Sequence, residues 1–230
     1  MFRNLALIAT LSLMSPTAAL AQDGAAGSWA FSLGAGTDNR SKAASKSDGG
    51  PYGWGQAEWS SADGMVYAGP GFETIKSSTG SELEFEVGAG VRPQFAGFDI
   101  DLNATHKWQV NADPGADAEA WEFTAEVSRS IGPANASVEL QHSPDGTGST
   151  EAWTWLEGRV GWDFTEALSA SAAIGRREQD NAIDYTGYDI GVTYALNRSL
   201  DLDLRWYGTD AEVPGEQYAD ALVAEISVSF

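Results

Sequence analysis

The sequence predicts an all-β protein, a closed antiparallel up-and-down transmembrane β-barrel of about 12 strands. Apolar residues recur at every second position through most of the chain, and no apolar stripe with helical spacing follows residue 21. The links between these segments alternate between short and long, as transmembrane barrels require. The chain holds 26 glycines, 9 tryptophans, 7 tyrosines and 9 phenylalanines. This composition disfavours long helices and suits strands bordered by aromatic girdles.

The first 21 residues are typical of an export signal. Arg3 supplies the positive charge, and the apolar run LALIATLSLM is too short to span a bilayer. Ala19-Leu20-Ala21 gives the small-x-small pattern that signal peptidase cleaves. We therefore expect a cleaved signal at residues 1–21 and a single barrel domain at residues 22–230, located in the outer membrane.

Charge and cysteine content exclude several classes of function. Lys and Arg number 13 against 33 Asp and Glu, and loss of Arg3 with the signal leaves 12 basic residues. A nucleic-acid partner is not expected, because a phosphate polymer would be repelled. The chain has no cysteine, which excludes disulfides and thiolate metal sites. A secreted acidic β-sandwich has a similar composition, so the strand pattern has to distinguish the two folds.

Twelve strands follow from the alternation, in this order: 28–36, 52–61, 64–74, 81–92, 96–107, 119–130, 134–142, 152–164, 168–177, 185–196, 199–208 and 219–230. Gly, Pro and Asn place sharp turns near residues 61–64, 92–95, 131–134, 165–167 and 197–198. Longer polar links lie at 37–51, 75–80, 108–118, 143–151, 178–184 and 209–218. Short turns on one side, long links on the other and an even strand number all fit a closed barrel, whose backbone groups are all paired in lipid.

The two faces of the predicted strands differ in polarity. In SELEFEVGAGV, apolar residues alternate with Glu82, Glu84 and Glu86, and FDIDLNAT continues the pattern. Alternation alone does not say which face is outside. Strand lengths of 9–11 residues and aromatics near strand ends favour lipid outside. These aromatics are Trp29, Trp54, Trp59, Trp108, Trp121, Trp162, Tyr185, Tyr188, Tyr194 and Trp206.

Several segments resemble the TorF-type porin family, a family of conserved exported proteins of proteobacteria. The entry region GTDNRSKAASKSDGGPYGWGQAEWS, the segment GMVYAGPGF and the acidic strand pair SELEFEVGAGVRPQFAGFDIDLNATH carry the first part of the resemblance. WTWLEGRVGWDF, YTGYDIGVTYAL, SLDLDLRWYGTD and ADALVAEISVSF carry the second. The resemblance implies an outer-membrane barrel and a pore, with no catalytic residues to carry over.

Inward-facing charges form the main candidate site. The pore-lining candidates are Glu84, Glu86, Asp99, Asp101, Glu122, Glu126, Glu157, Arg159, Arg177, Asp201, Asp203, Arg205 and Glu225. Glu58, Glu82, Glu139, Asp163, Asp189 and Arg129 share the predicted inward parity. In a hydrated lumen this acidic excess would favour cations. The alternative is a lumen filled by ion pairs between these carboxylates and the arginines.

No catalytic or cofactor site is predicted. His106 and His142 lie near external strand ends, and the adjacent Ser143 supplies none of the geometry of a Ser-His-acid site. An outer-membrane hydrolase is therefore a remote third alternative. The links at 111–117 and 143–147 lack the spacing of a calcium loop, and Gly34-Ala35-Gly36 and Gly88-Ala89-Gly90 precede no helix. No cofactor and no metal are expected.

The expected function is a passive channel for small hydrophilic solutes; a structural or interaction barrel is the alternative. Outer-membrane lipid and the barrel assembly machinery are the expected partners, and the oligomeric state stays open. The last strand, ALVAEISVSF, should pair with the first around Trp29, Phe31 and Leu33. Phe230 is the candidate assembly signal. The acidic loops and the basic first loop are expected to meet any external partner.

Overall fold

The computed structural model describes residues 27–230, and every regular element there is a β-strand. The predicted export signal lies outside the described residues. The long strands are β1 Ser28–Gly36, β2 Tyr52–Ser60, β3 Val66–Thr74, β4 Leu83–Val91, β5 Phe98–Val110, β6 Glu119–Ile131, β7 Ala134–Gly146, β8 Glu151–Asp163, β9 Leu168–Gln179, β10 Tyr185–Ala195, β11 Leu200–Thr209 and β12 Ala221–Ser229. Two-residue strands Arg40–Ser41 and Ala44–Ser45 pair with each other, and Gln94–Phe95 pairs with β5.

The sheet is closed, as predicted. Each long strand pairs antiparallel with its neighbours in sequence, and β1 also pairs with β12. At this seam Ser32 lies opposite Ser229, and their hydroxyls are 2.9 Å apart. The backbones of Phe31 and Phe230 exchange two hydrogen bonds of 2.9 and 3.0 Å. Closure leaves no sheet edge exposed to lipid.

Residues 27–230 contain no helix that is both long and apolar enough to cross a bilayer.

The two faces of the sheet have the predicted polarity. In β8 the side chains of Leu156 and Val160 are 52% and 60% exposed on the outer face. Glu157 and Arg159 lie between these two residues in sequence. They are 6% and 5% exposed and face the lumen. The same alternation runs through the other strands, because successive side chains of a strand point to opposite faces. The outside is therefore apolar and the lumen is polar.

Short turns and long links lie on opposite sides, as predicted. Gly64, Gly97 and Gly132 adopt φ values of 70°, 81° and 60° in the short turns, a region that favours glycine. Ala96 and Gly97 together make the turn before β5, so this strand begins later than predicted, at Phe98. β7 runs to Gly146 instead of residue 142, because a register shift between Ser143 and Gly146 accommodates Pro144.

The first long link does not extend away from the barrel. Ala43, Ala44 and Lys42 are among its buried residues, and Ala44 packs against Trp153 and Tyr185 of the inner wall. We call residues 37–51 the first loop. Contact of this loop with external partners stays a prediction.

Candidate functional site

All thirteen pore-lining candidates lie on the inward face. Each alternates in its strand with outward residues, and Glu84, Glu122, Glu157, Arg159 and Arg205 are the buried ones among them. Their position follows from strand parity alone, so the sequence was sufficient to place them. Their role in lining a pore stays a prediction.

Arg92 ties three inner-wall residues together near the short-turn side. Its guanidinium donates two hydrogen bonds of 2.9 Å to the carboxylate of Glu58 and one of 3.0 Å to Asp101. The same guanidinium lies 3.7 Å from the centre of the Tyr67 ring. The Tyr67 hydroxyl donates to Asp101 at 2.5 Å. Sequence reasoning missed Arg92 because it placed this residue in a turn.

A second ion-pair network crosses β8, β10 and β11. Asp189 accepts hydrogen bonds of 3.1 and 2.9 Å from Arg159 and a further one from Arg205. Arg159 also donates to Glu157 at 3.1 Å, and Arg205 lies 3.2 Å from Asp203. Glu157, Arg159, Asp189 and Arg205 are buried and Asp203 is partly exposed, so this network lines the lumen along this wall. The sequence predicted such pairs, and the structure shows them here.

Two lysines hold the carboxylates of the β3 to β6 wall. The Lys107 ammonium lies 3.5 Å from Glu84, 3.5 Å from Glu86 and 3.2 Å from Glu122. Lys46, from the first loop, donates to Glu84 at 2.8 Å and also to Glu73. Lys107 shares the inward parity of its strand and joins the arginines as a partner of the inward carboxylates.

Four inward carboxylates lie in one row across β5 to β8. Asp101 faces Glu126, Glu126 faces Glu139, and Glu139 faces Glu157 in register. Like charges directly opposite each other destabilise a sheet. Arg92 and Arg159 compensate the two ends of the row. Among residues 27–230, Glu126 has no ion pair within 4.0 Å, so the row keeps an acidic character at this position that water and mobile cations can relieve. We call these four residues the acidic row.

A second charged group lies near the external side of the lumen. Two cations lie over the ring of Trp153. The Lys42 ammonium is 4.5 Å and the Arg177 guanidinium is 4.2 Å from the ring centre. Burial lowers the pKa of the Lys42 ammonium in the first loop from 10.5 to about 8, while the charge of Glu122 opposes this shift. Cation–π contact replaces part of the lost hydration of these two cations.

Several side chains do not lie where the sequence placed them. Arg129 is exposed on the outer face, with its guanidinium 5.0 Å from the Phe98 ring, because it follows the inward Ser128. Glu82 precedes β4 and is exposed. Trp54 and Tyr185 were assigned to the aromatic girdles, but both share the inward parity of their strands. The parity of Glu122 and Glu126 in β6 already assigns Arg129 to the outer face.

The two histidines lie on the outer face and form no catalytic arrangement. His106 stacks on Trp121, with ring centres 4.7 Å apart, and its Nδ1 lies 3.2 Å from the Ala120 carbonyl. His142 is exposed and contacts the Thr154 hydroxyl at 3.0 Å, while Ser143 points to the inner face. Within the described part of the chain, no group of three or more His, Asp or Glu side chains is arranged to hold a metal ion.

A closed twelve-stranded antiparallel barrel with an apolar outside and a charged lumen has the architecture of a transmembrane β-barrel. The chain belongs to the Gcw_chp family, described as bacterial protein of unknown function, whose model matches residues 25–230. The TorF-type assignment from the sequence stays a prediction. No curated protein matches the chain.

Solved structures of porins share this fold. A KdgM porin superposes with a TM-score of 0.61 at 7% identity, covering 87% of this chain and 99% of that one. A NanC porin gives a TM-score of 0.60 at 9% identity, covering 87% and 98%. A KdgM porin in complex with disordered oligogalacturonate gives 0.59 at 6% identity, covering 87% and 98%. At these identities the likeness concerns the fold alone.

Proposed function

We propose that the protein is a passive pore for small hydrophilic solutes with a preference for cations. The single observation that carries the charge preference is the acidic row of Asp101, Glu126, Glu139 and Glu157. A ring or row of carboxylates in a narrow, low-dielectric passage raises the local concentration of cations and lowers that of anions. The porin fold of the similar structures supports the transport class.

The same row argues against a large anionic substrate. One similar structure is a KdgM porin with oligogalacturonate, a chain of carboxylate-bearing sugars. In this chain such a polyanion would meet uncompensated carboxylate at Glu126, and the repulsion would oppose its passage. Cations and small neutral solutes do not meet this barrier, and we propose them as the transported class.

Planar-bilayer recording tests the proposal. Under a KCl gradient the reversal potential should show preference for K⁺ over Cl⁻, and Glu126→Gln should weaken that preference. Glu178→Gln is the matched control, because Glu178 is exposed and alternates with the inward Arg177. Equal shifts in both variants would contradict the role of the acidic row. Absence of any channel with correctly folded protein would contradict the pore itself.

A structural or interaction barrel with a filled lumen is the second candidate. The buried first loop and the network around Asp189 favour it, because both occupy the interior. A silent but folded barrel in the same recordings is the result that this alternative expects.

A further inference from the structure

The tip of the first loop fits closely against the wall of β10 to β12. The Tyr185 hydroxyl donates to the Lys42 carbonyl at 3.0 Å, and Ala43 packs against Tyr207 and Val223. A Cβ atom added to Gly187 would lie 2.7 Å from the Cβ of Ala43 and 3.0 Å from the Lys42 carbonyl oxygen. The close approach therefore depends on a small residue on each side.

The other end of the loop is anchored to a different wall. Lys46 binds Glu84 and Glu73 on β4 and β3. The backbone amide of Ser45 donates to the Gln217 carbonyl at 2.7 Å, and Arg40 donates to the Ala219 carbonyl at 2.7 Å. The loop thus spans the lumen from β3 and β4 to β10 and the link before β12, which narrows the passage.

The positive charges of the first loop complement the acidic wall of the lumen. The loop carries Arg40, Lys42 and Lys46 into a lumen whose fixed charge is mainly acidic. Arg40 is compensated within the loop by Asp38, at 2.5 Å. Lys46 neutralises wall carboxylates directly, so the loop both fills space and removes negative charge from the external half.

We infer that the first loop is the segment that determines the solute specificity of the proposed pore, by fixing its width and by neutralising the external half of its lumen. This inference rests on the proposed function and deepens it. The solutes that pass are then small cations and small neutral molecules. Release of the loop should admit larger solutes and make the pore more cation-selective.

Gly187→Leu tests the inference, because the added side chain occupies the position of Ala43. Gly158→Leu is the matched control, since a Cβ at Gly158 has nothing within 4 Å. The chain has no cysteine, so a single Ala43→Cys in each background reports loop position by its rate of reaction with a charged thiol reagent. We expect slow labelling in the parent and Gly158→Leu proteins and at least tenfold faster labelling with Gly187→Leu.

Conductance and liposome swelling with neutral sugars of increasing size supply the functional readout. We expect Gly187→Leu to raise conductance severalfold and to admit a larger sugar than the parent or control does. If Gly187→Leu does not fold, a same-length Gly/Ser replacement of residues 40–46 removes the anchors while leaving all long strands intact. Fast labelling of Ala43→Cys in the parent would overturn the inference directly.

The outcomes separate this inference from the proposed function. If the parent conducts and the released-loop variant has the same conductance and the same sugar cut-off, the inference about the loop is wrong. The proposal that the protein is a pore still stands in that case. A silent parent with a conducting variant supports the loop as the constriction and overturns an open parent pore. Silence of both, with a released loop confirmed by labelling, overturns both.

Discussion

Asp189→Asn should destabilise the barrel strongly, because Asp189 is the shared acceptor of two buried arginines. Arg159 donates two hydrogen bonds to it, at 3.1 and 2.9 Å, and Arg205 donates a third. The side chains of Arg159 and Arg205 are 4% and 2% exposed, so solvent does not replace the lost charge.

The expected loss is about 3 kcal/mol in the free energy of unfolding. Removing one partner of a buried ion pair costs about 3–5 kcal/mol, because the remaining charge stays desolvated. Asparagine keeps one oxygen acceptor and nearly the same shape, which places the loss at the lower end of this range. Glu157 and Asp203 remain as partial partners for the two arginines.

Urea unfolding in lipid vesicles, followed by tryptophan fluorescence, measures this loss. Asp184→Asn is the matched control: Asp184 lies 3.7 Å from Arg176, and both side chains are 45% exposed. A surface pair of this kind contributes at most about 1 kcal/mol. If the two variants lost equal stability, the network around Asp189 would not stabilise the barrel, and the reasoning from burial would be wrong.

Two further predictions concern the first loop and the seam. The pKa of Lys42 is lowered to about 8, so its charge opposes docking of the loop below that pH, and docking strengthens as pH rises from about 8 toward 10.5. Tryptic cleavage after Arg40 or Lys46, relative to the same sequence as a free peptide, should fall on the order of tenfold between about pH 7.5 and 9.5. Lys42→Met should abolish this pH dependence, and an unchanged slope in that variant would exclude Lys42 as its source. Deletion of Phe230 removes two backbone hydrogen bonds with Phe31 and a ring contact of 5.8 Å between centroids, and should reduce insertion into the outer membrane more than it alters the conductance of inserted protein. Normal yield of the heat-modifiable form without Phe230 would count against its role as an assembly signal.

Most of the fold could be predicted because strand parity is a local property. In β8, Leu156 and Glu157 are assigned to opposite faces by sequence position alone, and the even strand number is consistent with closure. The acidic row was not predicted as a row, since the pairing of Glu126 with Glu139 depends on register across a turn. Register depends on the length of the turn between two strands. The sequence alone locates the ends of that turn only to within a few residues.

The inward position of the first loop could not be predicted, because it depends on contacts far apart in sequence. Polar residues such as Arg40 and Lys42 are typical of a solvated link. Their partners, Ala219 and Tyr185, are supplied by later strands and links, and no local pattern joins them. Gly187 has no side chain and so leaves room for Ala43, but in the sequence it does not differ from any other strand glycine.

The contacts of the first loop also constrain the order of folding. Lys42 and Tyr185 are separated by 143 positions, and Arg40 and Ala219 by 179. Contacts over such separations form only after the intervening chain is in place. The loop near the start of the barrel therefore reaches its final position only after β10 and the link before β12 have joined the wall. Protection of the first loop from protease therefore reports that the barrel is complete. A partly assembled sheet lacks the strands that protect the loop.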